Sequence, residues 1–391
     1  MPWKETTMER ERIFFVQRTL NKEKSKSALC REYGISRPTG DKWIARYLNG
    51  ETMSDRSRAP FRTPNKTSPD AEERIVALRQ RHPAIGAKKL KRLLENQGQP
   101  APAYSTINAI LHRNGLITPE ASQAATPYHR FEKARANEMW QADFKGHFAM
   151  ANGLRCYPLT VLDDHSRFNL CIDAKGNEQY VGVRESFLRL FHEYGLPDTL
   201  LCDNGKPWAG SRDYGYAQFE VWLMELGILT KHGRAYHPQT QGKEERFHGS
   251  LKRELLKHHT IADSAHAQRL FDEYRGFYNH ERPHHALNLD TPANRYTRSS
   301  RELPNRIRPW EYSGDYKIRK VKQTGEISFL GHPYIIGKAF FGRQVGLYGV
   351  PAMPDTYSVM YRQFCVAKIN IADKTVVARR LGIASACALN V

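Results

Sequence analysis

The sequence predicts a multidomain chain: all-α helix-turn-helix units at the N-terminus, a central α/β domain with a mixed sheet, and a small β-barrel at the C-terminus. Three observations predict it. Apolar residues recur at helical spacing up to about residue 118; strands and helices then alternate; the last stretch breaks into short strands separated by glycine turns. A chain of 391 residues is long for one domain.

The first unit, residues 1–52, reads as three helices. KSALCREYG carries Ala28, Leu29 and Tyr33 on one face, Gly34 ends it, and Ile35 plugs the turn. Ser36 then caps RPTGDKWIARYL, with Pro38 tolerated in the first turn and Trp43, Ile44 and Tyr47 facing inward. A short helix, a glycine turn and a second helix rich in Arg and Lys is the helix-turn-helix pattern, whose second helix enters a DNA major groove. Arg37, Thr39, Lys42 and Arg46 are expected to face that groove. The polar linker SDRSRAPFRTPNKT follows.

A second helical unit, 66–118, opens on Ser68-Pro69-Asp70, which supplies a cap, a first-turn proline and an early acid. Helices are expected around Ile75–Arg81, Ala87–Glu95 and Ser105–Asn114, the last closed by Gly115. Its basic face, with Lys88 and Lys89 in KKLKRLLE, is a second expected DNA contact. Residues 119–135 lack hydrophobic periodicity and read as a linker.

The pattern changes at Trp140, inside a domain read as 136–300. WQADF, CYPLTVLDD (156–164) and FNLCID (168–173) read as strands, the last two joined by a turn at Asp164-His165-Ser166. GNEQYVGVRESFLRLFHEYG reads as a helix with Val183, Phe187 and Phe191 inward and Gly195 as its stop. The strand DTLLCDNG ends in an acid; AQFEVWLMELGI is a helix, ILTKHGRAY a strand, and HPQTQGKEERFHGSLKRELLKHH turns through Pro238 into a long helix. Over 314–391, YKIRKVK, EISFLG, PYIIG, QVGLYG, YSVMYR and FCVAKINI are the strands of the expected barrel.

Charge is distributed unevenly. Residues 1–135 hold 26 Lys and Arg against 14 Asp and Glu, 136–300 hold 20 against 21, and 301–391 hold 14 against 6. Two basic flanks enclosing a neutral middle suit a polyanion gripped at the ends and handled at the centre. No segment approaches the roughly 18 uninterrupted apolar residues of a membrane helix, and MPWKETTMERER has no apolar signal region, so a cytoplasmic protein is expected. Cys30, Cys156, Cys171, Cys202, Cys365 and Cys387 lie far apart without a C-x-x-C pair, which favours free thiols over disulfides or a zinc cluster.

Three acids carry the chemistry. Asp143 ends or interrupts the first strand, Asp203 ends a later one, and Glu245 lies in the first turn of the long helix. Converging carboxylates repel and raise one another's pKa values unless a cation joins them. Oxygen-only ligands select Mg²⁺ or Mn²⁺, and two such ions can serve both oxygens of an in-line phosphodiester displacement. Glu244 falls beside the Phe247, Leu251, Leu255 stripe, whereas Glu245 lies about 100° further round with His248 and Lys252, so Glu245 is the expected ligand.

WQADF, LTVLDDHSRF, LCDNG, HPQTQGKEERFHGSLKRE and YNHERPHHAL...TPANRY together resemble the integrase catalytic core of bacterial insertion-sequence transposases, relatives of retroviral integrase, over about 140–297. The resemblance implies an RNase H-like fold, a DDE triad of Asp143, Asp203 and Glu245 holding two Mg²⁺ or Mn²⁺ ions, and DNA-facing positions at Gln241, His248 and Lys252. It departs from that family at Glu244, where relatives often have an apolar residue. KPWAGSRDYGY reads as an inserted loop, and the start lacks the His/Cys zinc module of retroviral integrases. Function is then expected to be transposition: binding the element's terminal inverted repeats, metal-dependent 3′-end cleavage and strand transfer into target DNA. The partners are double-stranded DNA and further copies of the chain, as a dimer or tetramer, at the bacterial nucleoid. The alternatives are a non-catalytic DNA-binding regulator or decayed transposase, and a simple nuclease of the RNase H type.

Other motifs carry blander readings. Asp163 to Arg167 reads as a turn, His258-His259 and His284-His285 as surface or packing residues. Trp208 either stacks on a base or anchors its loop, and YNHERPH braces the core's last helix, where Arg282 can also reach a phosphate.

Overall fold

The structure, a computed structural model, describes residues 7–56, 67–117, 132–210, 215–233 and 242–379. It divides into two compact units, 1–67 and 68–391.

In the first unit, α1 (Met8–Leu20), α2 (Lys26–Glu32) and α3 (Arg37–Leu48) close on Phe15, Val16, Leu29, Cys30 and Trp43. The Ser36 hydroxyl accepts from the Thr39 amide at 3.3 Å and so caps α3. Gly34 adopts a φ of 65°, and the Ile35 amide donates back to the Cys30 carbonyl at 2.9 Å, which terminates α2. Gly40 lets α3 approach: a Cβ there would stand 2.8 Å from Cys30 Sγ and 3.0 Å from Phe15 Cζ.

The second unit begins with α4 (Pro69–Arg81), α5 (Ala87–Asn96) and α6 (Tyr104–Arg113), packed on Ile75, Leu90, Leu93, Leu94, Ile107 and Ile110. Their ends are set by the predicted signals, with Ser68 accepting from the Ala71 amide and Gly115 at a φ of 68°. This bundle also leans on the core, because His82 stacks on Phe277 with centroids 4.3 Å apart.

The core sheet comprises β1 (Trp140–Phe144), β2 (Phe148–Ala149), β3 (Arg155–Asp163), β4 (Asn169–Lys175), β5 (Thr199–Cys202) and β6 (Leu229–His232). β4, β3 and β1 pair antiparallel, and β1, β5 and β6 parallel, giving a mixed sheet ordered β4-β3-β1-β5-β6, with the short β2 on β3. One face is covered by α7 (Tyr180–Tyr194) and α8 (Gln218–Glu225), through Phe187, Phe191, Phe219 and Trp222. The other is covered by α9 (Gly242–Leu251), its π-helical continuation Lys252–Leu256, and α10 (Ser264–His280), through Phe247, Leu251, Phe271 and Tyr278. Burial on both faces explains why these strands read as nearly continuous apolar runs. The predicted long helix therefore stops at Leu256, and α10 is a separate element.

The C-terminal region meets the barrel expectation only in part. β7 (Lys317–Lys320), β10 (Gln344–Val350), β11 (Met353–Tyr361), β12 (Phe364–Asn370) and β13 (Thr375–Arg379) form one sheet ordered β13-β12-β11-β10-β7, while β8 (Glu326–Phe329) and β9 (His332–Ile335) pair only with each other. It is a half-barrel. Among the described residues no strand ladder joins the hairpin to that sheet; Ile327, Phe329 and Tyr334 of the hairpin instead pack on Val345, Leu347 and Val359. Val221 and Met224 of α8 join that cluster, and Glu225 accepts from Arg343 at 2.7 Å and Tyr361 at 2.8 Å, so this sheet is fastened to the core.

Candidate active site

Asp143 sits on β1, paired in register with Thr160 of β3, near the middle of the sheet. Asp203 follows the last residue of β5, the strand alongside β1. Glu245 lies in the first turn of α9. Burial pushes the Asp143 carboxyl up to about 7, reinforced by the negative charges of Asp203, Glu178 and Glu245. The charges of Asp203 and Glu245 are thus felt at Asp143, as is that of the exposed Glu178, just before α7, which pattern reading missed. As placed, no set of three His, Cys, Asp or Glu side chains among the described residues closes on a single ion. The donor set is nevertheless oxygen-rich and mutually repelling, the combination a hard divalent cation relieves.

The two glutamates lie on different faces of α9, as expected from helical periodicity. Phe247, Leu251 and Leu255 are buried, Glu244 is fully buried beside them, and Glu245 is exposed. Glu244 accepts from the Thr160 hydroxyl at 3.0 Å, while its other oxygen makes no hydrogen bond. Burial, with Asp143 close by, holds its carboxyl well above the usual carboxylate range. Thr160 Oγ1 also lies 3.0 Å from the Asp143 carbonyl and 2.8 Å from His248 Nε2, so one hydroxyl ties β1, β3 and α9 together.

The first turn of α9 has a second anchor. Lys243 reaches back to the buried Asp164 at 2.5 Å. Asp163, the neighbouring acid, accepts from the Ser166 amide and hydroxyl and from the Asn137 amide. The Asp163 to Arg167 stretch is therefore a turn, as read. Trp208 is buried among Phe144, Phe187 and Phe219, which settles it as a loop anchor. Arg282 is bound by Glu254 at 2.6 Å, and His284 packs edge-on against Tyr278, so the YNHERPH segment braces α10. His258 bonds the Arg253 carbonyl. Cys30, Cys156, Cys171, Cys202 and Cys365 are free thiols.

The expected DNA contacts divide. Arg37, Lys42, Lys88 and Lys252 are exposed, and Thr39 is half-buried against Ser36. Arg46 is a correction: it is turned inward over Trp43 and donates to the Ser54 carbonyl at 3.1 Å, because the chain beyond α3 folds back across it. His248 is a second correction. It is turned into the site floor, where burial lowers its pKa to about 3. It is neutral there, so its approaches of 3.6 Å to Glu244 and 3.9 Å to Asp143 are not ion pairs. Lys89 is half-buried beside Arg282 and Glu254, and burial lowers its pKa to about 8. Gln241 lies outside the described residues.

Known families match this arrangement. Integrase core domain models match residues 133–238 and 226–292, a helix-turn-helix domain matches 11–61, and a homeodomain-like domain matches 39–111. The C-terminal domain of IS481 family transposases matches 316–377. The chain is 26% identical over 230 residues to an uncharacterized 31.7 kDa protein of insertion element IS407 from Burkholderia multivorans, covering 56% of this chain and 78% of that one. It is 28% identical over 274 residues to an uncharacterized 39.2 kDa protein of insertion element IS476 from Xanthomonas euvesicatoria, covering 64% and 74%. Among solved structures, a simian T-cell lymphotropic virus intasome in complex with PP2A regulatory subunit B56 gamma aligns at 17% identity with a TM-score of 0.37, over 75% of this chain and 91% of that one.

Helical DNA-binding units ahead of an integrase core define the class of protein. More narrowly, these matches support a bacterial insertion-sequence transposase with an integrase-like core.

Proposed function

We propose that the chain is a DNA transposase that binds the terminal inverted repeats of its own element, cleaves at their 3′ ends, and joins those ends to target DNA. The observation that supports this reading is the half-buried Asp143 on β1, beside the strand that Asp203 follows, with its carboxyl raised by burial and by the charges of Asp203 and Glu245. Asp143, Asp203 and Glu245 would hold two Mg²⁺ or Mn²⁺ ions. When bound, these would activate the attacking water or 3′-hydroxyl and stabilise the leaving oxygen. The chain's own part is placement. β1 and β5 fix two carboxylates on adjacent strands, while Lys243, through Asp164, fixes the helix turn that presents the third.

Arg37, Thr39 and Lys42 on α3 would contact the terminal repeat, with Lys88 and Lys252 contributing phosphate contacts. Joining two ends calls for at least a dimer. The test is strand nicking and strand transfer on terminal-repeat duplex with Mg²⁺. Asp143→Asn should lower both by at least about 10²–10³-fold, the order seen when one charge-stabilising group is removed. Wild-type rates in that variant would refute the mechanism. The absence of a closed ligand set among the described residues favours, as a second reading, a DNA-binding protein with an inert core. That protein would protect terminal DNA from footprinting reagents without cutting it.

A further inference from the structure

His232 closes β6 opposite Cys202 of β5, one residue before Asp203. Its Nδ1 lies 2.8 Å from the Asp203 carbonyl oxygen, and its Nε2 lies 2.8 Å from Glu220 Oε1 on α8. A carbonyl can only accept, so Nδ1 carries its proton there. Nε2 then shares a proton with a carboxylate whose side chain is only 3% exposed. Glu220 is itself fixed, since its second oxygen accepts from the Ala217 amide at 2.6 Å, at the start of its own helix. The three groups form a chain from a helix, through an imidazole, to the backbone of a candidate catalytic acid.

The loop beyond is anchored further on by the buried Trp208, while the bonds nearer Asp203 are local. The Asp203 carboxyl accepts from the Gly205 amide at 2.9 Å, a local bond that moves with the loop. The Cys202 carbonyl accepts from Gly233 at 3.1 Å, and Asn204 donates to the Gly233 carbonyl at 2.8 Å. Through Glu220, His232 connects the Asp203 main chain to α8, outside the sheet. We propose that His232, braced by Glu220, is a positioning residue that sets how far the Asp203 carboxylate projects from the sheet edge. This rests on Asp203 being a site acid, the reading given above.

The experiment uses the full chain and two substitutions that each keep half of the imidazole's reach. His232→Asn places an amide donor near the Nδ1 position and can still serve the Asp203 carbonyl. His232→Gln places its amide near Nε2 and reaches only Glu220. Two readouts are taken: hydrogen exchange of the 199–205 amides, and nicking of terminal-repeat duplex with Mg²⁺. His232→Gln should speed exchange around Asn204 and Gly205 by about tenfold or more. It should lower kcat by about 10–100-fold, the usual cost of losing an outer support of a site, with the KM for DNA unchanged. His232→Asn should stay within about threefold of wild type in both. Equal behaviour of the two variants, or unchanged exchange in His232→Gln, overturns the proposal. If exchange separates the variants while the wild type does not nick, the strut stands and the transposase reading falls. If the wild type nicks and both variants match it, the strut falls and the reading stands.

Discussion

Asp143 is a charge placed where a sheet should be dry, and removing it in the absence of metal should make the protein more stable. Its carboxyl is raised from an ordinary 3.8 to about 7, first by burial and then by Asp203, Glu178 and Glu245. A raised acid binds its proton more tightly in the folded chain than in the unfolded one. Between those two pH values the folded state therefore loses stability as pH rises, by about 1.4 kcal/mol per unit. Roughly three units give an upper figure of about 4 kcal/mol. The side chain keeps 21% of its exposure, so solvent screens part of this, and about 2–4 kcal/mol is the expected size. Asp143→Asn cannot titrate and escapes the penalty. Urea unfolding in EDTA at pH 8 should show the variant more stable by that amount, with the difference shrinking toward zero near pH 4. With Mg²⁺ at a hundred times the wild-type dissociation constant at pH 8 the gap should narrow by up to about 2.7 kcal/mol, because the wild type gains the larger ligand stabilisation. A difference independent of pH in EDTA would refute the argument.

Further outcomes follow from particular contacts. Glu254→Ala leaves Arg282 buried without its partner and should destabilise the second unit by about 3–5 kcal/mol in denaturant melts. Trp208→Ala should cost about 3–5 kcal/mol, the usual range for a buried tryptophan, and should leave affinity for single-stranded DNA unchanged. Lys42→Ala should weaken duplex binding and reduce the salt slope by about one. Arg46→Ala should instead lower the melting temperature with no change in that slope, because its guanidinium is committed to Trp43 and Ser54.

Much of this arrangement is legible in the sequence because it depends on local rules. Ser36, Ser68, Gly34 and Gly115 set helix ends through bonds spanning a few residues. The same holds for the choice between Glu244 and Glu245: helical periodicity alone places one against the core and the other in solvent. What escapes the sequence depends on contacts distant along the chain. Arg46 reads as a groove-facing cation until the segment carrying Ser54 folds over it. His248 shares its helical face with Glu245, yet Thr160 from β3 draws its ring inward. The half-barrel reads as closed because strand pattern gives pairing partners but not whether the last seam bonds. His232 looks like an ordinary strand residue, and only α8 crossing beside it reveals its support of Asp203.

Manganese binding followed by electron paramagnetic resonance, on the full chain with terminal-repeat DNA bound, tests the shared-ion account most directly. Each of Asp143→Asn, Asp203→Asn and Glu245→Gln should weaken Mn²⁺ binding by at least about tenfold, which is about 1.4 kcal/mol, while Glu244→Gln should leave it near wild type. Undiminished binding in Glu245→Gln, or a loss confined to Glu244→Gln, would contradict it.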